Sequence, residues 1–167
     1  MKSLKKNFVI EWKGPFYDVD KLKDEDFQNS FYLISGLIKS QRGESRVQYC
    51  GISHSRSVCS RLHDKKHTQE KVTRNKQIWI GKFSDDKLNT KANIELAEHL
   101  IVYYCKPELN KKKTKTIPKE PISIINRWKK PSGEFWRRKQ YPVQQHINSV
   151  VLYDGESFWY AEKFNKI

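Results

Sequence analysis

The sequence predicts an α+β protein: a small central antiparallel or mixed β-sheet flanked by helices, with a β extension towards the C-terminus. Three observations carry this. Runs rich in aromatic and β-branched residues, bounded by Gly, Asn and Asp, recur as strands. One long stretch, 91–105, repeats apolar residues at intervals of three and four and reads as a helix. The order of elements is strand, strand, helix, strand, helix, strand and hairpin, which interleaves the two kinds.

The elements follow in turn. Residues 1–29 hold a short apolar stretch (Phe8, Val9, Ile10), an aromatic pair (Phe16, Tyr17) and an acidic tract from Asp24, and read as an edge strand or extended arm. Residues 30–39 and 46–52 read as two strands joined by a polar turn at Gly43, a hairpin. Capping residues at 53–57, then Val58, Leu62 and Lys65 at helical spacing, predict a short basic helix over 56–66. Ile78 and Ile80 alternate with Trp79 in a third strand over 77–83. In the long helix Ile94, Ala97, Ile101 and Tyr104 form the apolar stripe, and Pro107 ends it. A polar, Pro-containing surface segment leads to a fourth strand near 121–128. Asp154-Gly155 then centres a hairpin over 149–164. There are no internal repeats. The 167 residues suit one domain, organised as an arm (1–29), a core (30–110) and a basic extension (111–167).

Aromatic residues make up 13% of the chain, which argues against disorder. No apolar run approaches the ~20 residues that span a bilayer, and no secretory pattern follows the basic N-terminus. The expectation is a soluble, cytoplasmic protein with no membrane partner. Cys50, Cys59 and Cys105 have no zinc or disulfide spacing and read as small buried hydrophobes in a reducing compartment.

The net charge is +14, of which residues 111–140 contribute +9. Such a block predicts a polyanionic partner. Lys111, Lys112, Lys113, Arg127, Lys129, Lys130, Arg137 and Arg138 neutralise phosphates, while Trp128, Phe135 and Trp136 either stack on bases or belong to the core.

Within the core, Tyr32 and Tyr49 fall on adjacent strands of one hairpin, with Gly51 two residues beyond the second tyrosine. Arg61 borders the apolar stripe of the short helix; its guanidinium suits a phosphate whose charge grows in the transition state. Glu98 lies beside the apolar stripe of its own helix, where a carboxylate needs a cation or a metal. Asn110 follows Pro107 by three. This ordered set, Ser30-Phe31-Tyr32, Tyr49-Cys50-Gly51, Arg61, Glu98 and Pro107-Glu108-Leu109-Asn110, resembles the GIY-YIG nuclease domain over residues 30–110. The first motif keeps only its tyrosine, and Lys65 stands where relatives often have a histidine, with His63 and His67 beside it.

The resemblance implies a three-stranded sheet flanked by helices and hydrolysis of phosphodiester bonds. One tyrosine would act as general base on water and the other as a hydrogen-bonding helper. Arg61, with Lys65 or His63, would stabilise the phosphoryl charge. Glu98 would hold Mg²⁺ or Mn²⁺, and Asn110 would help hold the site together. The resemblance makes DNA the expected substrate, with RNA as the alternative, and the compact form is similar to stand-alone restriction endonucleases, which implies an anti-phage role. Double-strand cleavage needs a homodimer, a higher oligomer or two encounters. The rivals are a non-catalytic nucleic-acid-binding module of the same fold and a ribonuclease using the same site.

Overall fold

The computed structural model describes residues 6–22, 28–137 and 147–161. Its regular elements are β1 (Lys6–Phe16), β2 (Ser30–Ile38), β3 (Arg46–Ser53), α1 (Val58–Leu62), β4 (Val72–Phe83), α2 (Lys91–Cys105), β5 (Ile122–Lys129), β6 (Val150–Tyr153) and β7 (Phe158–Ala161), with short 3₁₀ turns at Val19–Leu22, Thr68–Lys71 and Asp86–Leu88. The fold is α+β and mostly sheet. All seven strands join one sheet in the order β3-β2-β4-β1-β5-β6-β7, antiparallel except for the parallel β1–β5 pair. The sheet is therefore larger than the small one expected.

Alternation along the strands divides the apolar residues between two clusters. Phe31 and Leu33 of β2 pack with Phe8, Ile10 and Trp12 of β1, with Trp79 and Phe83 of β4, and with Ile94, Ala97, Leu100 and Ile101 of α2. Tyr32 and Ile34, from the same strand, pack instead with Ile78 and Ile80, with Val58 and Leu62 of α1, and with Leu22. The long helix thus serves one cluster and the short helix the other.

Three expectations change. Residues 6–16 are neither an edge nor an arm, because β1 lies between β4 and β5. Phe8, Ile10 and Trp12 alternate into the core, and the Trp12 indole Nε1 donates to Asn126 Oδ1 at 2.8 Å. The helix expected over 56–66 stops at Leu62. Ser57 caps its start by accepting from the Ser60 amide, and His63 closes its end. The following Asp64, Lys65 and Lys66 are all exposed, so no apolar face holds a further turn. Strand β4 begins at Val72 rather than at 77, since Val72 and Arg74 pair with Ile38 and Leu37.

Helix α2 matches expectation, as does the terminal hairpin as far as residue 161; residues 162–164 of the expected hairpin lie outside the described residues. Thr90 caps α2, which ends at a left-handed Lys106 whose amide bonds Val102 O, one residue before Pro107. Asp154 turns the β6–β7 hairpin by accepting from the amides of Glu156 and Ser157. Cys50 and Cys59 are buried and Cys105 is partly so, and none of the three is in a disulfide. Trp128 is buried and Trp136 is half-buried against the core, leaving Phe135 as the exposed ring of the basic segment. Among the described residues no helix is long and apolar enough to cross a membrane.

Candidate functional site

The site begins with the β2–β3 register. Tyr32 pairs directly with Gly51 across the hairpin. A β-carbon on Gly51 would stand 2.5 Å from Tyr32 Cζ, 2.6 Å from its hydroxyl and 2.7 Å from Tyr49 Cε1. The glycine therefore opens the space that both rings occupy, and they stack over it at 5.8 Å between centroids. Tyr32 is fully buried, and burial pushes its phenol well above the ordinary value of 10. Tyr49 is half-buried, and it alone of the two lines a cavity of about 510 Å³.

Behind the tyrosines stands His67, whose Nε2 lies 3.0 Å from the Tyr32 hydroxyl. Its ring also meets Tyr49 edge-on at 5.1 Å. The Gln69 amide donates to His67 Nδ1 at 3.0 Å, so a neutral ring carries its proton on Nε2 and donates it to Tyr32. Burial first, then the Arg61 charge, pulls the His67 pKa down from 6.5 to about 4, which keeps that ring neutral near pH 7. The Tyr32 hydroxyl in turn favours ionisation of Tyr49, although burial raises the Tyr49 pKa overall. Arg61 lies beside both phenols. The last acceptor of this chain is the Tyr49 oxygen, which is where negative charge is best supported.

Arg61 itself comes from the last turn of α1 and lines the cavity with Asp64, Lys66, His67 and Thr68 of the following turn. Its Nε is buried with no hydrogen-bond partner. Glu98 enters from α2 with only 13% of its side chain exposed, and Lys113 Nζ meets it at 2.5 Å. Glu98 also acts on Tyr49, raising its pKa, so the carboxylate and the phenol share one electrostatic environment.

Asn110 closes the site. Its side chain accepts from the Cys50 amide at 2.9 Å and donates to the Cys50 carbonyl at 2.8 Å, mimicking an extra strand on the free edge of β3. Leu109 adds an amide bond to Gln48 O at 2.9 Å. Gln48 is the extra residue of a β3 bulge, since Ile34 pairs with Tyr49 and Ser35 with Val47. These bonds fix the chain leaving α2, so that Asn110, Lys111, Lys112 and Lys113 form one wall of the cavity.

Tyr49, Arg61, Glu98, Asn110 and Lys111–Lys113 are thus brought together, with Tyr32 and Gly51 directly behind. Lys65 and His63 are not. Lys65 is exposed in the turn after α1 and lines no cavity described here. His63 caps α1, with Nδ1 2.9 Å from Cys59 O and Nε2 3.3 Å from Asp20 Oδ1. The histidine that does reach the tyrosines is His67, two residues beyond Lys65. Its signal in the sequence was its place after a helix that ends early, a boundary the polar run Asp64-Lys65-Lys66 encodes.

The basic segment also divides. Arg127 and Lys129 sit on β5, three strands from β2, paired with Glu11 at 3.5 and 2.5 Å. Phe135, 46% exposed, stacks under Arg127 at 4.2 Å and Lys129 at 5.0 Å. Lys130 lies over the Trp136 ring, and Arg137 is exposed. Arg138 lies outside the described residues.

Among the described residues no group of three or more His, Cys, Asp or Glu is placed to hold a metal. A divalent ion bound here would have Glu98 as its protein ligand in place of Lys113, since Asp64, the other carboxylate of the cavity, is exposed and engaged by Arg56. One carboxylate in an open cavity would suit Mg²⁺, which keeps most of its waters.

Comparison with protein-family models, with curated proteins and with solved structures finds no match for this chain.

Proposed function

We propose that this chain is a metal-dependent endonuclease of the GIY-YIG type that hydrolyses phosphodiester bonds in DNA. The observation that carries the reading is the convergence of Tyr49, Arg61, Glu98 and Asn110, from β3, α1, α2 and the following loop, on one cavity rich in cations. The antiparallel trio β3-β2-β4 within the seven-stranded sheet, with α1 between β3 and β4 in chain order and α2 after β4, supports the reading.

Tyr49 is the general base in this mechanism. It faces the cavity, and Tyr32 and Arg61 favour its ionised form. Tyr32 and His67 orient Tyr49, and the hydrogen bond from Tyr32 favours the ionised form of its oxygen. Arg61 stabilises the phosphoryl charge, helped by Lys112 and Lys66 rather than by Lys65 or His63. Glu98 would hold Mg²⁺ or Mn²⁺, an ion that would supply charge stabilisation for the leaving oxygen. Lys113 neutralises Glu98 when no divalent ion does so. That ion pair also favours a second reading, a nucleic-acid-binding module in which a lysine has replaced the metal.

Supercoiled plasmid incubated with Mg²⁺, Mn²⁺ or EDTA, with wild type and Glu98→Gln, separates the two. Metal-dependent nicking or linearisation that the variant lacks is the expected result, and discrete fragments point to a restriction role. Tight binding of DNA that stays intact in every metal would establish the binding module. Cleavage of matched RNA but not DNA would reassign the substrate.

A further inference from the structure

Beside the candidate site lies a second cavity, of about 410 Å³, lined by Ile52, Ser53, His54, Arg56, Arg61 and Lys91. Arg61 belongs to both cavities. The Arg56–Asp64 ion pair stands between them, since Arg56 lines the second cavity and Asp64 the first. Both oxygens of Asp64 engage the guanidinium, which fixes its plane and leaves its remaining donors for another acceptor. Lys91 is the first residue of α2, so the positive end of a fifteen-residue helix adds to the cavity's charge. No carboxylate lines this second cavity. Three permanent cations therefore line one concavity; Arg56 is paired with Asp64 and Lys91 lies 3.9 Å from Glu95, and both of those carboxylates stand outside the lining.

We infer that this cavity is a phosphate subsite, holding the phosphodiester next to the scissile one on the same strand. The inference rests on the phosphodiesterase reading of the neighbouring cavity. A polynucleotide whose scissile phosphate meets Arg61 from one side carries its next phosphate a single nucleotide away. Arg61 lines both cavities, and the Arg56–Asp64 pair links the lining of one to the lining of the other. The subsite's cations fix the strand's register and leave sequence choice to other contacts. It also assigns a part to Arg56: it holds the flanking phosphate, while Arg61 serves the reacting one.

The test measures binding of duplex DNA in EDTA as a function of salt, alongside cleavage in Mg²⁺, for wild type, Lys91→Ala and Arg56→Gln. Lys39→Ala, in the turn at the opposite end of the β2–β3 hairpin, is the matched loss of one charge. Lys91 is exposed, so its removal leaves the fold intact. Loss of a phosphate contact lowers the slope of log affinity against log salt by about one and weakens binding at moderate salt by about three- to tenfold. That result in Lys91→Ala and Arg56→Gln, but not in Lys39→Ala, supports the subsite. Wild-type cleavage with unchanged affinity and slope in Lys91→Ala and Arg56→Gln overturns the subsite and leaves the nuclease standing. A wild type that neither binds nor cleaves any polynucleotide overturns both.

Discussion

The Tyr32 hydroxyl meets Nε2 of His67 at 3.0 Å, across 35 residues of chain. The contact makes His67, not Lys65, the residue behind the tyrosines. His67→Ala is expected to lower cleavage by about tenfold or more, because the rings lose the support that sets their position. Lys65→Ala, at an exposed turn, keeps turnover within about twofold of wild type. Initial rates on one plasmid substrate at saturating metal check both.

The same histidine makes stability depend on pH. Burial, then Arg61, holds its pKa at about 4 against an ordinary 6.5. Between those values the unfolded chain binds a proton that the folded chain refuses. This contribution is complete above pH 6.5 and is lost as pH falls towards 4. Urea unfolding midpoints across pH 4–7.5 are expected to fall on the acid side, and less steeply in His67→Gln.

Tyr49 predicts the opposite limb for the reaction. Its phenol titrates above the ordinary value of 10 because burial outweighs the help from Tyr32. The ionised fraction therefore rises about tenfold per pH unit through neutrality. Single-turnover cleavage is expected to climb with a slope near one between about pH 6 and 9. Tyr49→Phe abolishes both the activity and the slope.

Gly51→Ala tests the stacked tyrosines without removing a functional group. The new methyl would need space already held by the Tyr32 ring and hydroxyl at 2.5 and 2.6 Å. Overpacking of this kind costs about 1–3 kcal/mol. Chemical denaturation should show that loss, together with a fall in cleavage that exceeds what unfolding explains.

Lys113→Ala leaves Glu98, with 13% of its side chain exposed, without its partner at 2.5 Å. The metal-free protein is expected to lose about 1 kcal/mol or more, and Mn²⁺ to bind several-fold more tightly once the ammonium no longer competes. Calorimetric titration with Mn²⁺ reads the affinity, and a larger rise in Tm on adding Mn²⁺ than in wild type reads the stability.

Much of this was legible in local pattern. The long helix announced itself through Ile94, Ala97 and Ile101, and the hairpins through their turns, because each depends on residues close in sequence. What escaped depended on distant partners or on where an element stops. β1 shows clear alternation at Phe8, Ile10 and Trp12, but nothing local says that β4 and β5 will cover both of its edges. The short helix was overextended because Lys65 kept the helical spacing although no core awaited it. The basic block read as one patch, yet Lys111–Lys113 line the cavity while Arg127 and Lys129 pair with Glu11 on another strand pair. Linear charge density cannot reveal that division, since the turn between the two groups sets where each one faces.

The place of β1 has a consequence for assembly. The trio β3-β2-β4 draws on segments adjacent along the chain, so it can form as soon as they are made. β1, synthesised before all of them, pairs with β4 on one edge but waits on the other for β5 and for contacts such as that between Trp12 and Asn126, 114 residues apart. Such long-range closure slows folding relative to hairpin formation. It also leaves Phe8, Ile10 and Trp12 incompletely covered until residue 129 has emerged. Truncation before Ile122 would accordingly strip a flank from an interior strand, opening the middle of the sheet and not merely shortening its end.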